Sequence, residues 1–211
     1  MDCQIPRHTK EALSPLFHHL HQACHSAFNA LQEDSQNWWF KTSSRSKASL
    51  MRDYLVHEIK KIIEEYKSIR CINKQGLTVF AINEQFAMRI KKLNRKLLTS
   101  NIPTQQSSDF DNQQLNLPGF DDVISLNMGY IINNIWTKIE GIYITCPAGH
   151  GTLSWSIHVD EEIATVTNVV EPIFSDKNEA GHLGMRAKEE AMKQRGIEND
   201  TDRQSRHDSS S

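Results

Sequence analysis

Residues Asp122–Asp160 read DVISLNMGYIINNIWTKIEGIYITCPAGHGTLSWSIHVD. Large apolar residues recur there at every second position in three short runs, and a period of two marks strands with one buried face. The first run sets Ile124, Leu126, Met128, Tyr130 and Ile132 against Val123, Ser125, Asn127 and Gly129. The third sets Leu153, Trp155, Ile157 and Val159 against Ser154, Ser156, His158 and Asp160. Between them, Ile139 to Cys146 places Ile142, Ile144 and Cys146 on one face. The connections are short and polar, Asn133-Asn134 and Pro147-Ala148-Gly149-His150-Gly151. The spacing therefore predicts a three-stranded antiparallel meander over residues 120–160.

A sheet with one apolar face needs a cover, and the upstream sequence supplies helices. Ser14-Pro15 is a helix start, with serine as cap and proline at the first helical position. Leu13, Leu16, Phe17, Leu20, Cys24, Ala27, Phe28 and Leu31 then form one stripe, ending near Gln32 to Ser35. Trp38-Trp39-Phe40 closes this helix as an aromatic knot, suited to anchoring the loop in the core or to stacking on a partner. After the serine-rich, basic linker Thr42 to Ser49, a second helix is expected from about Lys47 to Ile69. Its stripe is Met51, Leu55, Ile59, Ile62, Ile63 and Tyr66. The two should pair as an antiparallel hairpin.

Leu77 to Ile82, following Gly76, fits a fourth strand. Asn83 reads as the cap of a third helix, Glu84 to Leu98, which Ser100 to Pro103 ends. Gln105 to Asn116 is polar, Leu117-Pro118-Gly119 turns into the meander, and Ile163 to Ile173 suits an edge strand or a docking arm. The expected architecture is α+β, an N-terminal helical hairpin and a basic helix packed on a three- to four-stranded antiparallel sheet. Residues 1–9 read as flexible, 10–173 as one domain (helical part 10–100), and 174–211 as a polar, disordered tail.

The formal net charge of −2 over 211 residues excludes a molecule that binds polyanions through overall charge, so any such site must be a local patch. Cys3, Cys24, Cys71 and Cys146 are far apart and match neither a zinc motif nor a disulfide framework. The N-terminus has no apolar signal segment, and no run is long enough to span a membrane. These features predict a cytoplasmic protein without a cofactor. Its glycines, serines and histidines form no phosphate loop, Gly-x-Ser-x-Gly or His-Glu-x-x-His.

The predicted third helix carries the clearest patch. Phe86, Ile90, Leu93 and Leu97 make its apolar seam, and Arg89, Lys91, Lys92, Arg95 and Lys96 spread over the opposite side with no acid among them. Such a face suits a nucleic acid or another polyanion, because each phosphate contacted releases counterions. The plainer alternative is a solvated face whose cations pair with Asp109, Asp111, Asp121 or Asp122. No helix-turn-helix spacing, zinc finger or aromatic RNA-binding signature accompanies the patch, so sequence-specific readout is not expected.

The second helix contains Met51-Arg52-Asp53-Tyr54-Leu55-Val56-His57-Glu58. Arg52-x4-His57 resembles the Arg-x4-His motif of HEPN-type ribonucleases, and Leu55 to Glu58 resembles the form found in some toxin members of that group. The resemblance implies metal-independent RNA cleavage, with His57 near the 2′-hydroxyl or leaving group and Arg52 bracing the phosphate. It also implies an all-helical bundle and two motifs meeting across a dimer.

Two further groups invite chemistry. His18, His21 and His25 fall on one side of the first helix, where imidazoles could take a transition metal, although three ligands from one helix rarely close a site. Cys146 with His150 or His158 could form a nucleophile and base, but Cys146 continues an apolar face and reads as a structural thiol. Three functions follow: a non-catalytic binding or regulatory protein contacting nucleic acid through Arg89, Lys91, Lys92, Arg95 and Lys96; a ribonuclease using Arg52 and His57; or a protein–protein interaction module using a sheet edge or the tail.

Overall fold

The apolar stripes of the N-terminal third do form helices. The computed structural model describes residues 5–66, 68–74, 76–100, 104–115 and 122–169. A short helix α1 (Arg7–Leu13) runs through a 3₁₀ turn at Ser14–Leu16, with proline in its first positions, into α2 (Phe17–Asp34). Helix α3 (Ser44–Glu65) starts where the Ser43 hydroxyl accepts the Ser46 N–H, three residues before the expected start. The two long helices pack together, as the stripes predict. The Tyr54 hydroxyl donates to Asp34 at 2.6 Å, and the Tyr66 hydroxyl meets His19 Nε2 at 2.8 Å.

Among the described residues six strands follow rather than three or four: β1 (Ile69–Lys74), β2 (Leu77–Ile82), β3 (Phe86–Lys92), β4 (Ile124–Ile132), β5 (Ile139–Pro147) and β6 (Leu153–His158). They lie in the order β1-β2-β3-β4-β5-β6. The class is α+β, and the sheet is mostly antiparallel. The exception is its middle, where β3 and β4 run parallel with Phe86 opposite Ile124 and Lys92 opposite Tyr130. Two three-stranded meanders thus share one parallel seam. The chain crosses between them by way of α4 (Gln105–Asp111).

The second meander, β4-β5-β6, is the one predicted. The predicted third helix is corrected: Phe86–Lys92 is strand β3, with Phe86, Met88 and Ile90 on one face and Ala87, Arg89 and Lys91 on the other. Asn83 is not a helix cap. Asn83 and Glu84 take positive φ (51° and 59°) in the tight turn joining β2 to β3. Helix α3 stops at Glu65 rather than Ile69, because Tyr66 adopts an extended conformation and Ile69 starts β1. Ile163 belongs to helix α5 (Val159–Val169) and not to an edge strand. Asp160, Glu161 and Glu162 in its first turn match the helix dipole. The polar tail 174–211 and the Leu117-Pro118-Gly119 turn lie outside the described residues.

The two faces of the sheet are covered differently. Phe80, Phe86, Met88, Met128, Tyr130 and Ile144 belong to the main core, which α2 and α3 close with Leu20, Phe28, Met51 and Leu55. The opposite face carries a small second core, Val79, Ala87, Phe110 and Val123. Phe110 is fully buried and is the apolar anchor of α4, contributing about 2 kcal/mol of burial.

Candidate functional site

A cleft of about 1160 Å³ opens where β3 and β4 end. Lys91 and Lys92 close β3, and Ile131 and Ile132 close β4. The early turns of α3 supply Arg45, Ser49 and Arg52, the loop after β3 supplies Arg95, and the start of α4 supplies Gln106 and Ser107. Crevices outside the carboxyl ends of parallel strands are where open sheets commonly hold ligands, since the chain there departs to both sides. Among the described residues, six cations line this cleft (Arg45, Arg52, Arg89, Lys91, Lys92, Arg95) against one carboxylate, Glu140. The chain as a whole is slightly acidic, so the imbalance is local.

The six cations are not equivalent. Arg89 is 2% exposed and serves the fold. Its Nε donates to Asn127 Oδ1 at 2.7 Å and its Nη2 to Asp111 Oδ1 at 2.6 Å, and its guanidinium lies 3.9 Å from the centre of the Phe110 ring. Burial lowers its pKa from the ordinary arginine value, and the charge of Asp111 opposes that shift. Arg52 donates to Thr78 Oγ1 at 2.9 Å and pairs with Asp53 at 3.0 Å. By contrast, Arg45, Lys91, Lys92 and Arg95 form no ion pair among the described residues. Lys91 sits opposite Gly129, where the Leu93 side chain occupies the space a Cβ would need. Burial, then the charges of Arg89 and Arg52, push its pKa down to about 8, with Asp111 opposing. Burial also lowers the pKa of Lys92, whose ammonium lies 4.7 Å over the Trp136 ring.

Of the five cations assigned to a helix, Arg89, Lys91, Lys92 and Arg95 therefore reach one cleft, but from a strand and its following turn. Lys96 stands in the exposed turn beyond the lining. One of the alternative acids, Asp111, does pair with one of them. The cations on α3, Arg45 and Arg52, were not grouped with this patch from sequence. Their place depends on α3 crossing the ends of the strands, which no local spacing encodes.

Arg52 and His57 are separated on α3. Five residues turn a helix by about 500°, which leaves them about 140° apart. Arg52 faces β2 and the cleft, while His57 is exposed and off the lining. The mixed sheet is also unlike the all-helical bundle that the HEPN resemblance implies.

The histidine row meets acid from elsewhere in the chain. His21 Nε2 lies 3.3 Å from Asp160 Oδ1, and the His21 and His25 rings meet at 4.5 Å, tilted by 49°. Asp160 also accepts the Ile142 N–H at 3.0 Å beyond the last residue of β6, and His158 Nε2 lies 3.2 Å from it. This cluster ties α2 and α5 to the sheet. Among the described residues no three His, Cys, Asp or Glu side chains are grouped to hold a metal. Cys146 is buried between Gln113 Nε2 at 3.6 Å and the Pro147 carbonyl at 3.9 Å, and burial is the setting of a structural thiol. His158 is engaged instead with Asp160, Glu161 and the stacked ring of Tyr143.

No protein-family model, curated protein or solved structure matches this chain. Among the described residues no helix is long and apolar enough to cross a membrane.

Proposed function

We propose that the protein binds a polyanion, a nucleic acid foremost, in the cleft at the ends of β3 and β4, and that it does so without catalysing a reaction. The observation that carries this reading is the lining: among the described residues six cations face one carboxylate, and Arg45, Lys91, Lys92 and Arg95 form no ion pair there. An uncompensated, half-buried ammonium such as Lys91 is costly to the fold, and a phosphate oxygen would offset that cost.

Fluorescence anisotropy of a labelled oligonucleotide across a salt series tests it. Four phosphate contacts on a single strand give a log–log slope of about −3, or roughly a 50-fold loss of affinity between about 50 and 200 mM salt. Replacing Arg45, Lys91, Lys92 and Arg95 by Gln should abolish binding. Salt-insensitive binding, or full affinity in the quadruple variant, would overturn the reading. His57→Ala should bind as wild type does, and neither protein should cleave RNA. Cleavage lost in His57→Ala would favour the ribonuclease instead.

A further inference from the structure

We propose that the cleft's ligand is a single strand, RNA or DNA, and that Phe40 is the platform on which one of its bases stacks. The proposal rests on the polyanion reading above and adds the state of the strand. Phe40 is 94% exposed, the most exposed large apolar side chain among the described residues. It is not held out by a loose loop. Trp38 and Trp39 both donate their N–H to the Ser35 carbonyl, at 3.0 and 2.9 Å. The Lys41 N–H and the Thr42 hydroxyl both donate to the Trp38 carbonyl at 3.0 Å. The turn is thus built around its neighbours, and the ring of Phe40 projects into water.

A continuous set of contacts joins this turn to the cleft. The Trp39 ring meets the Trp136 ring edge-to-face at 5.8 Å. The Trp136 indole N–H donates at 3.3 Å to Ser44 Oγ, and Ser44 lines the cleft. Lys92, also in the lining, lies over Trp136, and Lys47 lies 4.2 Å over Trp39. Lys92 and Lys47 therefore flank a pair of packed rings between the cleft and the turn, so that cations and aromatic side chains are interleaved. That interleaving is how single strands are held without sequence readout: cations track the phosphates, and an exposed ring takes the π-face of any base. A duplex keeps its bases stacked inside and cannot use Phe40. An acidic protein would use the cations but would not require a flat ring.

The test compares four probes by anisotropy: a 12-residue thymidine oligonucleotide, its uridine counterpart, an abasic deoxyribose-phosphate oligomer of equal length, and a 12-base-pair duplex. Wild type should bind both single strands more tightly than the abasic oligomer or the duplex. Phe40→Ala should lose roughly 5- to 150-fold for the thymidine and uridine probes, the range that loss of one stacked base produces, and nothing for the abasic oligomer. Phe40→Trp should restore binding, and at its exposure neither change disturbs the core. Equal binding of thymidine and abasic probes, an unaffected Phe40→Ala protein or a preference for duplex would overturn the stacking proposal and leave the polyanion reading intact. Binding to none of the four would overturn both.

Discussion

Arg89 and Lys91 stand two residues apart on the same face of the same strand, and the molecule treats them in opposite ways. Around Arg89 the outer face is closed by α4, and Asp111, Asn127 and the Phe110 ring take up the guanidinium. Around Lys91 the cover has ended. The neighbours are the like charges of Arg89 and Arg52, which outweigh the opposing charge of Asp111, together with the backbone of Gly129 and the cleft. A cation that the fold has satisfied is structural; one that it has left at a cost, beside open space, is available to something outside the fold. Sequence position does not separate the two, and neither does residue type. The difference lies in where a seven-residue helix stops.

The contrast breaks most visibly at Arg89. Arg89→Met should destabilise the protein by about 3–5 kcal/mol, because it removes the buried guanidinium on which Asp111 and Asn127 converge. Urea unfolding measures this, and a loss below about 1 kcal/mol would deny Arg89 its structural role. Lys91→Met should do the reverse. Removing a desolvated cation from beside two others should raise stability, on the order of 1 kcal/mol, while oligonucleotide affinity falls about fivefold. A Lys91→Met protein that is both less stable and an unchanged binder would remove the distinction.

Solution pH sharpens the same comparison. The pKa of Lys91 falls from 10.5 to about 8 in the folded chain. Between those values the unfolded chain holds the extra proton, so the Lys91 contribution to stability rises with pH across that window. Affinity for a phosphate ligand runs the other way, declining as pH passes about 8 and the ammonium is lost. Lys91→Arg should abolish that decline, which an anisotropy titration at constant ionic strength would detect. The smallest effect belongs to Glu140, the one carboxylate among the described residues of the lining. Glu140→Gln should tighten binding about two- to threefold at low salt, and the gain should vanish as salt screens it.

What could be read from the sequence follows from how far the two faces of an element differ in chemistry. Strands β4 and β6 alternate cleanly because the face that meets the helices is apolar while the other carries Ser125, Asn127, Ser154, Ser156 and His158, so their period of two is visible even where, as in β4, both faces are buried. Helices α2 and α3 show stripes for the same reason. Strand β3 is covered on both faces, and Ala87 on its second face breaks the alternation. The cation run that follows then completes a pattern indistinguishable from an amphipathic helix. A buried arginine is read as solvent-facing when its partner, Asp111, is 22 residues away on another element. Strand β1 has no counterpart in the sequence reading, whose second helix ends at Ile69, the residue where the strand begins, with Arg70 to Lys74 left unassigned. The aromatic knot was visible from sequence, but its division into two packed tryptophans and one projecting phenylalanine was not. That division depends on Trp136, nearly a hundred residues on.

The parallel seam also governs how the chain arrives at this structure. Four of the five strand pairs are hairpins; Ile82, for instance, meets Phe86 across a tight turn. The fifth joins Phe86 to Ile124, 38 positions later. Closing that longer loop costs about 2 kcal/mol more entropy than closing a hairpin. The two meanders can therefore form early, while the seam sets the rate at which they merge. The cleft has one wall from each side of that seam. It exists only after the slow step, so an oligonucleotide should slow unfolding of the finished protein and leave the early refolding phases untouched.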